Sequence, residues 1–287
     1  VQRTHPYRAF SHFTDVGGSV LAAGMSYQAL FAVFAGLWVG FGVFGITLAG
    51  RPELVDSLIE QINTFVPGLI GDGDNALVNP NLLLAARTIN WTSIVAAAAL
   101  LVVALNWFTG TRRAIRIVFG LEVKQYKNAL LLKLRDVLLA LAFGLAMLIS
   151  AALTVLSSKL TDTLFGWFGW DAENWLLSTM GVLVRYAALY VFDVIVLIAI
   201  HRVLAEVQVP RMRLLIGCAI GGAALLGIKI LGAALLGGAS NNPLLASFAV
   251  LLGVLIWFNF ICRVLLLTAS WIATGLDRTL GLPQTAG

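Results

Sequence analysis

Charge is what this sequence has least of. Asp, Glu, Lys and Arg together make up 11% of its 287 residues, against about a quarter in a soluble domain. With 60% hydrophobic residues and a mean hydropathy of +0.92, lipid must be part of its solvent. Cysteine is nearly missing. Cys218 and Cys262 both fall in apolar runs, which excludes a disulfide framework and any metal-knuckle spacing; they read as small buried hydrophobes. Histidine is almost as rare. His5, His12 and His201 have no carboxylate cluster beside them, so the ligand set of a metal-dependent nuclease or hydrolase is lacking. Glycine-rich phosphate loops, nucleophile elbows and zinc-protease motifs are also missing. The expectation is a protein that is not an enzyme, with no catalytic residue, no metal and no cofactor.

What the sequence does have is long apolar runs, enough for about six transmembrane helices. The expected fold class is therefore all-α, a single polytopic membrane domain over residues 1–287 with amphipathic surface helices. Residues 1–19 carry Tyr7, Phe10 and Phe13 at spacing three beside Arg3 and Arg8, the pattern of a cytoplasmic amphipathic segment lying on the membrane. The spans follow at 20–48, 92–109, 136–158, 180–201, 214–236 and 244–272, each long enough to cross or nearly so. The first is too long for a signal-peptide core and lacks a clear cleavage site. It carries Ala32, Gly36 and Gly40 at spacing four, a stripe expected to admit a neighbouring helix.

Between the first two spans, residues 49–91 form an extracytoplasmic loop. Pro52 can open a helix, and Leu54, Leu58, Ile62 and Phe65 would then line one face of it, resting on lipid or on the bundle. Asp72-Gly73-Asp74-Asn75 lacks the spaced ligands and terminal Glu of a calcium loop and reads as a solvated turn. Trp167, Trp170 and Trp175 suggest an interfacial aromatic belt, and Gly237 to Pro243 a tight turn.

Basic residues set the orientation. Thirteen of the 19 Lys and Arg fall on one side, including a cytoplasmic basic loop with Arg112, Arg113 and Arg116, and three fall on the other. The basic side faces the cytoplasm, and an even number of spans puts both termini there.

The remaining three basic residues, Arg185, Lys229 and Arg263, lie inside apolar sequence with the acid Asp193. Ionisable groups there cost roughly 2.5–3.5 kcal/mol each and need partners or water. Asp193 is eight residues from Arg185, roughly 12 Å along a helix at about 1.5 Å per residue, too far for contact. Arg185 and Lys229 fall at similar depth, while Arg263 near the cytoplasmic end is placed to snorkel. His201 reads as a helix-end residue. Two readings stand. Either Asp193 pairs with a base on a neighbouring helix and fixes packing, or Arg185, Asp193 and Lys229, with Tyr186, Tyr190, Asn106 and Gln28, line a cavity that holds an anionic head group.

Two stretches carry a resemblance. Residues 22–31 read Ala-Ala-Gly-Met-Ser-Tyr-Gln-Ala-Leu-Phe, and residues 106–116 read Asn-Trp-Phe-Thr-Gly-Thr-Arg-Arg-Ala-Ile-Arg. With the six-span plan and the long first outer loop, the chain resembles the YihY/virulence factor BrkB family. These are the YhjD-like envelope-integrity proteins once labelled ribonuclease BN. The likeness runs from about Arg8 to Thr274. Tyr-Gln-Ala-Leu-Phe is similar to the actinobacterial branch and lacks the Pro found in other members. The resemblance implies a bacterial inner-membrane protein with a role in moving an anionic lipid or lipid-linked envelope precursor. The alternative is a non-transporting envelope-integrity scaffold; ribonuclease activity is not expected. The implied partners are membrane lipids, including an anionic lipid or glycolipid, with a homo-oligomer or envelope machinery left open and nucleic acid not expected.

The charge count generates a topology test. Cysteines placed at Gly73 and Asp171 are expected to react with an impermeant thiol reagent in intact cells, and one at Gln125 only after permeabilisation. Labelling of position 125 in sealed cells would reverse the orientation.

Overall fold

The computed structural model describes residues 4–48, 52–66, 69–71, 76–80, 91–121, 131–142, 145, 175–236 and 243–280. Those residues are overwhelmingly helical. The helices are α1 (His5–Asp15), α2 (Gly18–Leu48), α3 (Pro52–Phe65), α4 (Trp91–Val118), α5 (residues 131–142), α6 (Trp175–Ile198), α7 (Arg211–Leu236) and α8 (Pro243–Leu280). Among the described residues, four stretches are long and apolar enough to cross a membrane: Gly18–Leu37, Tyr186–Leu204, Arg211–Leu231 and Leu251–Leu276. Most of the span expected at 136–158, the Trp167 and Trp170 belt, the Asp72 turn and the turn after Gly237 lie outside the described residues.

Helix α2 packs against α4 and α8, α7 packs between α6 and α8, and α1 lies on α8. Two apolar clusters hold the bundle. One joins Phe13, Met25, Ile115, Leu197, Cys218 and Leu266. The other joins Leu30, Leu37, Val254, Trp257 and Phe258 to the segment around α3. Both cysteines are buried, as their apolar surroundings suggest. The outer surface is apolar too: Leu138, Leu141, Leu183, Ile195, Leu231 and Ile256 are all exposed, which suits lipid and not water.

The sharp entry into α2 has a local cause. Gly17 ends α1 with φ +69°, a left-handed conformation that glycine adopts without strain. At the next position, a Cβ on Gly18 would overlap the ring of Phe13. The helix is thereby folded back at the mouth of the bundle, with Ala9 and Phe13 buried and Tyr7 and Phe10 outside.

Helix α3 rests on the bundle and not on lipid. Val55 and Leu58 are buried, and Leu54 and Ile62 pack against the second cluster; the side chain of Phe65 lies outside the described residues. Asn63 clamps the following turn from both sides, donating from Nδ2 to Ile70 O at 2.6 Å and accepting the Ile70 amide at 3.0 Å.

One sequence expectation needs correction. Helix α4 does not stop near Thr109 but runs to Val118, so Arg112, Arg113 and Arg116 are helical and not part of a loop. Arginine is a good helix former, and Arg112 and Arg116 find carbonyl or carboxylate partners described below. Of the small-residue stripe on α2, Ala32 is half-buried, Gly36 is exposed with nothing among the described residues within 4 Å of a Cβ, and the side chain at position 40 lies outside the described residues. The buried face of α2 runs through Ala22, Met25, Ala29 and Leu37.

Close approach occurs at α7. A Cβ on Gly217 would overlap Ile272, one on Gly221 would overlap Thr268, and one on Gly222 would come within 2.7 Å of Val194. Glycine here lets α7 fit between α6 and α8. Gly221→Ala is expected to lower stability by about 1–3 kcal/mol through overpacking. Gly227→Ala, where nothing among the described residues lies within 4 Å, is expected to leave stability unchanged or raise it. Melting curves in detergent compare the two, and equal effects would contradict the packing.

Candidate functional site

Helices α6 and α7 run antiparallel, and helical side chains lean toward their own N-terminus. Asp193 on α6 and Lys229 on α7 therefore lean toward each other along the interface. Lys229 Nζ donates to Asp193 Oδ1 at 2.6 Å. Asp193 is 4% exposed and Lys229 8%, so the pair is closed to solvent and lipid alike. One turn before the acid, Tyr190 stands over the glycine face of α7, and its hydroxyl donates to Ala219 O at 3.2 Å. Asp193 Oδ2 is buried and has no hydrogen-bond partner among the described residues.

The structure brings only part of the expected set together. Tyr186 lies one turn before Tyr190 and is exposed. Arg185 is on α6, but its side chain lies outside the described residues. Gln28 and Asn106 belong to the α2 and α4 surfaces. Gln28 rests its Oε1 in the space left by Gly110, while the exposed Asn106 accepts from Lys133 Nζ at 3.3 Å. Arg263 is exposed on the face of α8 that also presents Ile256 and Phe260.

A second polar assembly was not legible in the sequence. It sits where the end of α4, the start of α5 and the chain after α6 meet. Helix α6 continues as a π-helical turn, Ala199–Leu204, with His201 fully buried and its Nδ1 bonded to Leu197 O at 2.8 Å. The carbonyls released at the end of this turn are taken up by arginines. Arg112 Nε donates to Leu204 O at 3.1 Å and Arg116 Nη1 to Ala205 O at 3.2 Å. Arg112 also pairs with the buried Asp136, and Arg135 pairs with Glu206. Burial pulls the Arg112 guanidinium below its usual pKa, and Asp136 opposes that pull; a guanidinium keeps its charge regardless. Glu206 has φ +55°, a left-handed backbone that a side-chain-bearing residue holds only when its surroundings enforce it. Arg202 Nη1 donates to Val209 O at 3.1 Å and holds the next stretch.

Helix α1 is tied to the same end. His12 Nε2 lies 2.8 Å from Val118 O, and His5 stacks on Trp271 at 4.1 Å and meets Thr274 Oγ1 at 3.3 Å.

Residues 9–284 match the family model described as virulence factor BrkB. An uncharacterized protein of Dickeya dadantii is 26% identical over 285 residues, covering 96% of this chain and 84% of the relative. The inner membrane protein YhjD of Escherichia coli K12 is 25% identical over 282 residues, covering 94% of this chain and 80% of the relative. No solved structure gives a significant match.

The buried pair generates a double-variant test. Asp193→Leu or Lys229→Met alone leaves one uncompensated buried charge and is expected to cost about 3–5 kcal/mol. The two together are expected to recover most of that loss, since apolar replacements of a buried pair are often neutral. Melting temperatures of the three variants check this; additive losses would mean the two side chains are not coupled.

Proposed function

This chain belongs to the virulence factor BrkB family, and we propose that it is a multi-pass inner-membrane protein that moves an anionic lipid or lipid-linked envelope precursor. In this reading it performs no catalysis. The observation that carries it is the Asp193–Lys229 pair. Ionisable residues within membrane spans are costly and commonly mark a substrate path. Here the acid keeps one buried oxygen without a hydrogen-bond partner among the described residues. An anionic head group arriving between α6 and α7 would compete with Asp193 for Lys229, with the Tyr190 hydroxyl one turn away as a further donor. Charge-assisted contacts of that kind are the strong ones. The lipid would cross by its own gradient, an ion gradient or a partner, since the sequence has no nucleotide-binding loop. Inner-membrane placement follows the relative named YhjD, and both termini in the cytoplasm follow the basic-residue count.

A second reading has its own observation. The pair is closed and internally satisfied on one oxygen, as expected of a contact that only fixes helix register in a scaffold. Reconstitution separates the two. Purified protein in liposomes containing a fluorescent anionic phospholipid is expected to move it between leaflets. The Asp193→Leu/Lys229→Met double variant, if it melts like the wild type, is expected to lose that movement by roughly tenfold, the loss of one charge-assisted contact. Movement retained in the folded double variant would place the path elsewhere, and a wild type that moves no lipid would favour the scaffold.

A further inference from the structure

The polar assembly at the basic end encloses a cleft of about 340 Å³, lined by Arg116, Phe119, Leu121, Glu206, Val207, Gln208 and Leu276. Its two sides differ in chemistry. Phe119, Leu121, Val207 and Leu276 form an apolar wall, and Arg116, Glu206 and Gln208 form a polar one. The walls are held in place. The Phe119 ring stands edge-on to buried His201 at 6.5 Å, the Val207 amide donates to His201 O at 3.1 Å, and Arg116 is fixed on Ala205 O. Among the described residues lining the cleft the acid is Glu206, which is already joined to Arg135. Arg202 lines the adjoining cleft of about 510 Å³, which shares Glu206, Val207 and Gln208. With Glu206 neutralised by Arg135, Arg116 and Arg202 leave the described lining of the two clefts positive.

We infer that this cleft is a binding site for the phosphate head of an anionic phospholipid, with Arg116 at the phosphate and Phe119, Leu121 and Leu276 against the glycerol and first acyl carbons. Gln208 is exposed at its rim and offers an amide to head-group hydroxyls. The apolar wall argues against a free anion, which would gain nothing from it. Cationic groups beside apolar surface at the end of a membrane bundle match a lipid phosphate at the interface. The site does not depend on the Asp193–Lys229 path, and a lipid bound here suits a transporter and a scaffold equally.

The test is native mass spectrometry of the full chain in detergent with added phosphatidylglycerol, with inorganic phosphate as a separate competitor. Arg116→Gln is expected to lower lipid retention roughly tenfold, the loss of one hydrogen bond to a charged group. Gln208→Glu, which places a negative charge at the rim and leaves every arginine contact intact, is expected to lower it as well. Arg113→Gln is the control, because Arg113 is exposed on the same helix and does not line the cleft. Its retention is expected to match the wild type. Since Arg116 also supports Ala205, Gln208→Glu decides the matter if Arg116→Gln melts early. Wild-type retention in a folded Gln208→Glu protein would overturn the assignment. So would an equal loss in Arg113→Gln, or displacement of the lipid by inorganic phosphate alone.

Discussion

A charge removed from both water and lipid has to find its counter-charge inside the protein, and the placement of α6 against α7 follows from that requirement. Lys229 reaches Asp193 only because α7 comes close enough, and α7 comes close because Gly221 and Gly222 put backbone where side chains would stand. The same absence of a side chain at Gly217 admits Ile272 of α8. One helix without side chains on two faces thus sets the spacing of three. Shifting α7 along its axis by one turn would separate the pair and put Cys218 or Leu226 in place of Gly222 against Val194. Electrostatics and packing select the same register, which is the kind of agreement that gives a sequence one structure.

At the basic end a similar demand falls on the backbone. A helix finishing in a π-turn leaves carbonyls without intrahelical partners, and there the partial negative charge of the helix end also favours cations. Arg112 and Arg116 meet those carbonyls at Leu204 and Ala205, and Arg202 holds Val209 O in the stretch beyond the turn. Asp136 then balances Arg112, and Arg135 draws Glu206 into its left-handed backbone. Residues whose abundance follows from membrane orientation also serve as caps for a neighbouring helix. Topology alone would need only their charge; the fork of the guanidinium is what lets one residue hold both a carbonyl and a carboxylate.

How far these arrangements could be read beforehand depends on whether the signal is local. Long apolar runs report their own solvent, so the helices α2 and α7 begin and end within about three residues of the expected bounds, while α8 starts at Pro243 as expected but runs on past 272 to Leu280. The pattern of α3 is equally local, and its apolar face is the one that packs. Helix α4 runs past its expected end because a run of basic residues marks the membrane boundary and not the end of the helix, and Arg112 and Arg116 find carbonyls about 90 residues away. Asp193 was recognisable as a group in need of a base. Which base it takes depends on how two helices slide past each other, and that is set by glycines whose faces a single helix does not reveal. Gly36 shows the converse, since it has the right spacing yet is exposed, with nothing among the described residues within 4 Å of a Cβ there. Depth alone points Gln28 and Asn106 inward, but Gln28 faces Gly110 between α2 and α4 and Asn106 is exposed beside Lys133.

The Asp193–Lys229 pair has a consequence for how the chain enters the membrane. Left alone in hydrocarbon, each of these groups would cost roughly 2.5–3.5 kcal/mol. Asp193 is made first, and its counter-charge lies 36 residues further along the chain. During synthesis α6 therefore emerges carrying a debt that only α7 can cancel, with no more than the short stretch around Glu206 to Pro210 between them. The two helices enter the bilayer most cheaply as a hairpin, released sideways into lipid once the lysine has met the acid. Sequential release would place the carboxylate among acyl chains ahead of its partner, at that cost.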